Sequence, residues 1–122
     1  MPKTILSVDD SASMRQMIKL TLMAAGYQVV EAADGKEALD KAKVGGIDMV
    51  LTDLNMPNMD GLALIRELRG MQAFRGLPII FLTTESDPAK KNEAKTAGAT
   101  GWIVKPFQQD QLLGVVRKVL GS

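Results

Sequence analysis

Short apolar runs rich in β-branched side chains alternate with longer stretches of helical period, and the alternation repeats about five times along 122 residues. A strand followed by a helix returns most readily beside itself as a parallel neighbour. Repeated βα units therefore build one parallel sheet with helices on its faces. The runs predict strands from Thr4 to Val8, Gln28 to Ala32, Met49 to Thr52, Ile79 to Thr83 and Gly101 to Val104.

The intervening stretches carry helix signals. Met14, Met17, Ile18, Leu22 and Ala25 share one helical face, Ser13 and Gln16 match a capping box, and Gly26 ends the helix. Asp34 and Glu37 start a second helix that Gly45 and Gly46 break. A third begins near Gly61 with Leu62, Ile65 and Leu68. Asp87 and Pro88 read as N-cap and first helical position of a fourth, closed by Gly98. The last runs from about Gln109 to Leu120. No linker, repeat or low-complexity stretch divides these units, so a single domain over residues 1–122 is expected, monomeric and with one continuous core.

Composition removes several function classes. The net charge is +1 with scattered Lys and Arg, which implies no general attraction to nucleic acid or anionic lipid. No apolar run approaches the length of a membrane span, and the first residues do not read as a signal peptide, so a cytoplasmic location is the default expectation. There is no Cys and no His. Disulfides, thiolate metal sites, imidazole bases and the usual zinc ligand are all absent, leaving chemistry to Asp, Glu, Lys, Ser and Thr.

Those residues fall at telling places. The first apolar run leads to Asp9 and Asp10, the third to Asp53, the fourth to Thr83 and Thr84, and the fifth to Lys105. In an open parallel sheet all strand C-termini lie along one rim, and ligands bind there. Singly, an Asp or Thr at a strand end is most often a turn former or helix cap, and a lysine is most often solvated. Three carboxylates at one rim repel unless a cation compensates. All-oxygen ligands without histidine favour a hard ion, Mg²⁺ above Ca²⁺.

These residues together resemble the receiver domain of response regulators, especially the stand-alone CheY-like form. The resemblance rests on Asp9-Asp10, the stretch from Asp53 through Asn55, Pro57 and Asp60 to Gly61, then Thr83, and Lys105-Pro106-Phe107. It implies a flavodoxin-like (βα)5 fold with strand order 2-1-3-4-5 and five flanking helices. Asp53 would be the phosphoacceptor in a two-component system. Asp10, Asp53 and the backbone carbonyl of Asn55 would bind Mg²⁺, with Asp9 acting through a water. Lys105 would pair with the phosphoryl group, and the Lys105-Pro106 bond is usually cis in this family.

The resemblance further implies a sensor histidine kinase of CheA-like type as donor. The output would be a changed α4-β5-α5 surface acting on a downstream protein such as a flagellar motor switch component. Thr83 would draw its loop toward the phosphoryl group, and the aromatic at position 102 would turn inward. That aromatic is commonly Tyr or Phe. Trp102 is larger and keeps an N–H, so it either follows the rotation or anchors a partner. Asn55, Thr84 and Glu85 stand where the family tunes dephosphorylation.

Two other classes fit less well. A haloacid-dehalogenase-type phosphatase needs a second Asp two residues after the nucleophile, where this chain has Asn55. A flavodoxin-like FMN binder lacks its phosphate loop, because the first βα turn opens with Asp9-Asp10. A receiver excised from a longer regulator or phosphorelay is a third possibility.

Overall fold

The computed structural model describes residues 2–54, 56, 58–84 and 88–121. Five strands, β1 Thr4–Val8, β2 Gln28–Ala32, β3 Met49–Asp53, β4 Ile79–Thr83 and β5 Gly101–Val104, form one sheet in the order β2-β1-β3-β4-β5. Every neighbouring pair is parallel. Between and after them lie α1 Ala12–Ala24, α2 Gly35–Val44, α3 Gly61–Arg69, α4 Pro88–Ala97 and α5 Gln109–Leu120, with a 3-10 turn at Gln72–Phe74. The fold class and strand order are those expected.

Strand alternation divides the core in two. Leu6, Val8, Val50, Ile79 and Phe81 face α2 and α3, packing on Ala38, Leu39, Leu64, Ile65 and Leu68. Ile5, Met49, Leu51, Ile80, Leu82 and Ile103 face α1 and α5, packing on Ile18, Leu22, Leu112 and Val116. Buried on both faces, β3 and β4 read as continuous apolar runs, which is why periodicity located them so sharply. Helix α4 is the exception among the helices. Its sequence is mostly polar, and Ala94 is its one buried residue among those described.

Three local expectations changed. Helix α1 is capped by Ser11, whose Oγ accepts from the Met14 N–H at 3.3 Å, so the Ser13–Gln16 box does not form. The Asp9–Asp10 turn is tight enough for the helix to begin two residues earlier. Ser13 instead shares a 3.1 Å hydrogen bond with Ser11. Strand β3 runs one residue beyond Thr52, since Asp53 pairs with Leu82 of β4. At α2, Asp34 is the cap as expected, but Glu37 reaches back to the N–H of Ala33 rather than to that of Asp34. The expected cap of α4, Asp87, lies outside the described residues; Pro88 is the first helical position.

Candidate functional site

The C-terminal rim of the sheet gathers the polar residues. Asp9 follows β1 and is almost wholly buried, with its side chain 2% exposed. Its Oδ1 accepts from the Ser11 N–H at 2.9 Å, and its Oδ2 accepts from Lys105 Nζ at 3.1 Å. Lys105, just past β5, also lies 3.5 Å from Oδ1 of Asp53, the last residue of β3. One ammonium therefore bridges two carboxylates contributed by strands that are not adjacent in sequence. Asp10 is exposed on the same rim, and oxygens of Asp9, Asp10 and Asp53 lie within 4.8 Å of one another.

The electrostatics follow from this crowding. Burial pushes the Asp53 carboxyl above the ordinary carboxylate range; Lys105 opposes that, the charge of Asp9 adds to it, and the N–H of Leu54 opposes it again. Lys105 alone offsets three carboxylates incompletely, so a divalent cation is the natural complement. Three carboxylates with oxygen donors only, one of them exposed to water, suit Mg²⁺, which keeps several waters of its own. The donor set fits the ion.

Backbone geometry keeps Asp53 accessible. Gly61, at the start of α3, donates its N–H to Leu54 at 2.9 Å. A Cβ at residue 61 would overlap the Asp53 carbonyl oxygen and lie 2.8 Å from Cε1 of Phe81, so only glycine allows α3 this approach. The loop before it is tied to α2: Asn58, with φ of 67°, donates from Nδ2 to Asp34 at 2.9 Å, and Met59 accepts from the Gly35 N–H at 3.0 Å. The Asn58 bond also helps hold the Asp34 carboxyl below the usual range, behind the larger effect of the Glu37 N–H.

Of the remaining expected residues, Thr83 ends β4 and is buried, and Thr84 beyond it is exposed. The Lys105–Pro106 bond is cis. Trp102, paired in register with Phe81, is 38% exposed, and Lys91 Nζ of α4 lies 5.4 Å from its ring centroid. Leu54, Phe81, Thr83, Lys90, Lys91, Ala94 and Trp102 line a half-open cavity of about 10 Å³, room for about one water. Asn55 and Glu85 lie outside the described residues, as does Pro57.

Sequence reading missed two groups. Arg15 donates from Nη1 to the Asp9 carbonyl at 2.6 Å and lies 3.5 Å from Glu31 through Nε. A basic residue one turn into the helix that follows an Asp-Asp turn is a signal that could have found it. Asn58 was legible only as a loop residue, although Asn is the side chain most at ease at positive φ outside glycine.

Residues 5–117 match the family model for the response regulator receiver domain. The chain belongs to that family. Chemotaxis protein CheY1 of Helicobacter pylori is 43% identical over 120 residues, covering 97% of each chain. The solved structure of chemotaxis protein CheY4 of Vibrio cholerae superposes with a TM-score of 0.94 at 47% identity, covering 98% of this chain and 100% of that one. The receiver domain of a sensor histidine kinase from Pseudomonas aeruginosa, solved with a magnesium ion coordinated in its active site cleft, matches with a TM-score of 0.92 at 30% identity, covering both chains fully. This receiver is thus of CheY type, a component of two-component signalling, and its acidic cluster is of the kind at which receivers bind Mg²⁺. Among the described residues no helix is long and apolar enough to cross a membrane.

Proposed function

We propose that this receiver accepts a phosphoryl group on Asp53 from the phosphohistidine of a sensor kinase, in a Mg²⁺-dependent reaction. The observation that carries the reading is the convergence at one rim of Asp9, Asp10 and Asp53, with oxygens within 4.8 Å of one another, and of Lys105, 3.1 Å from Asp9 and 3.5 Å from Asp53. An Asp53 oxygen forms the new O–P bond as the P–N bond to the donor imidazole breaks, and the released imidazole nitrogen takes a proton from solvent. Asp10, Asp53 and the Asn55 backbone carbonyl would hold Mg²⁺, with Asp9 acting through a water, and the ion would supply charge neutralisation for the phosphoryl oxygens. Lys105, already 3.5 Å from Asp53, is the side-chain cation within reach of an oxygen that Asp53 carries. Thr83, at the end of β4, donates its hydroxyl to the phosphoryl group and draws its loop with it. Thr84, Asn55 and Glu85 set the lifetime of the acyl phosphate. The protein is a switch that assists its own phosphorylation and hydrolysis rather than a turnover enzyme.

The output surface in this reading is α4, β5 and α5, with Trp102 at its centre. The small cavity beside the indole supports a change centred on Thr83 and α4, with Trp102 left at the surface to meet a partner. The likeness to chemotaxis proteins supports chemotaxis-like signalling, in which this receiver acts as a cytoplasmic monomer between a CheA-like kinase and a motor-switch component. Acetyl phosphate with Mg²⁺ is expected to label Asp53 with one phosphoryl group per chain, seen by mass spectrometry. Labelling that survives Asp53→Asn rejects the assignment. Phosphotransfer measured against a panel of histidine kinases tests the donor.

A further inference from the structure

We propose that Arg15 and Glu31 form a positioning clamp that sets the angle of the Asp9–Asp10 peptide and so aims the Asp10 carboxylate at the cation; this rests on the metal site proposed above.

The Asp9 residue is gripped at both ends of its backbone. Its N–H donates to the Ala32 carbonyl of β2 at 3.1 Å, continuing the sheet past Val8. Its carbonyl accepts from Arg15 Nη1 at 2.6 Å. Arg15 is itself held, with Nε 3.5 Å from Oε1 of Glu31, and its side chain is only 19% exposed. Glu31 is anchored in β2 opposite Ser7 of β1, next to the residue that takes the Asp9 N–H. Its backbone carbonyl accepts from Lys41, and its second oxygen lies 3.6 Å from Lys19.

The two carboxylates differ in what fixes them. Asp9 has Ser11 and Lys105 on its side chain. Among the described residues the Asp10 carboxylate has no such bond, so the constraint on where its side chain starts is the peptide plane, held at the Asp9 carbonyl by Arg15 and across the turn by the Ser11 N–H on Asp9 Oδ1. Rotating that plane swings Asp10 and strains the turn at Ser11. Groups that orient a ligand through a hydrogen bond commonly change metal affinity by about 10- to 100-fold when removed.

Charge alone predicts the opposite sign. Removing a cation beside three carboxylates strengthens their attraction for Mg²⁺. The test is therefore a Mg²⁺ titration by calorimetry of the whole protein, together with the amide resonance of Asp10 in the metal-free state. Arg15→Met is expected to weaken Mg²⁺ binding about tenfold and to shift the Asp10 resonance. Glu31→Ala weakens it less, and the double variant is no worse than Arg15→Met, because the two residues act through one bond. Lys19→Gln, which loses the neighbouring charge but no contact with Asp9, keeps the Asp10 resonance in place. Unchanged or tighter Mg²⁺ binding by folded Arg15→Met overturns the clamp while leaving the metal site intact. Failure of the wild-type chain to bind Mg²⁺ overturns the metal site and the clamp with it.

Discussion

Lys105 Nζ lies 3.1 Å from Oδ2 of Asp9, and both side chains are withdrawn from water, at 13% and 2% exposure. The pair holds the first and last strands of the site together across 96 residues of sequence. Removing one partner of a buried pair leaves an uncompensated charge. Lys105→Met is expected to destabilise the metal-free protein by about 3 kcal/mol in urea melts. It should also bind Mg²⁺ more tightly, since the competing cation is gone. A variant as stable as the wild type contradicts the pairing.

Asp53 carries a carboxyl raised by burial, so the folded protein holds that proton more tightly than the unfolded chain does. Its contribution favours the fold below the unfolded carboxylate range and is lost as pH rises through the folded value; above it, ionised Asp53 is a standing cost. Asp53→Asn is expected to raise the metal-free Tm at neutral pH and to flatten the fall of stability across the carboxylate range. Mg²⁺ should stabilise the wild type more than the variant. Thermal melts between acidic and neutral pH, with and without Mg²⁺, read both effects.

Gly61→Ala places a methyl against the Asp53 carbonyl and the Phe81 ring. Overpacking of this kind costs about 1–3 kcal/mol, and here the displaced group is the backbone of Asp53, the proposed phosphoacceptor. The loss of acetyl phosphate labelling should exceed what the fall in stability explains, as measured at a temperature where the variant is fully folded. Labelling at the wild-type rate shows that α3 can withdraw without disturbing Asp53.

Trp102 is the single tryptophan, so its fluorescence reports one place. Trp102 is 38% exposed beside a cavity of about 10 Å³, and the indole is expected to remain at the surface when beryllofluoride mimics the phosphoryl group. Emission should change in intensity as Thr83 and α4 shift, while acrylamide continues to quench it. Lys91→Ala removes the cation above the ring, a contact worth about 0.5–1 kcal/mol at exposed sites, and should increase quenching in the resting state. Loss of quenching on activation is the result that would place the ring inside.

Legibility in the sequence tracked the physical range of each interaction. Strands β3 and β4 were clear because both faces are buried, so their apolar runs have no polar interruption to confuse the period. Asp53, Thr83 and Lys105 were legible because each ends such a run, and the rim of a parallel sheet collects what its strands end in. The cap of α1 was misplaced by two residues because Ser11 and Ser13 are equivalent in local chemistry, and only the turn at Asp9 chooses between them. The bridge from Lys105 to both Asp9 and Asp53 was out of reach of local patterns. The reach of Arg15 back to the Asp9 carbonyl left a local trace, a basic residue one turn into the helix after the Asp-Asp turn, but which group it meets depends on how α1 leaves the sheet.

The strand order parts β2 from β3 and seats the first strand between them. Asp9, Asp53, Thr83 and Lys105 each arrive on a different strand, and the last of them is supplied only when β5 docks at the far edge. A chain whose β5 and α5 are not yet docked lacks the ammonium that Asp9 and Asp53 share. In the phosphoryl-transfer reading proposed above, completion of the molecule is then a precondition for being heard, and half-built copies stay silent.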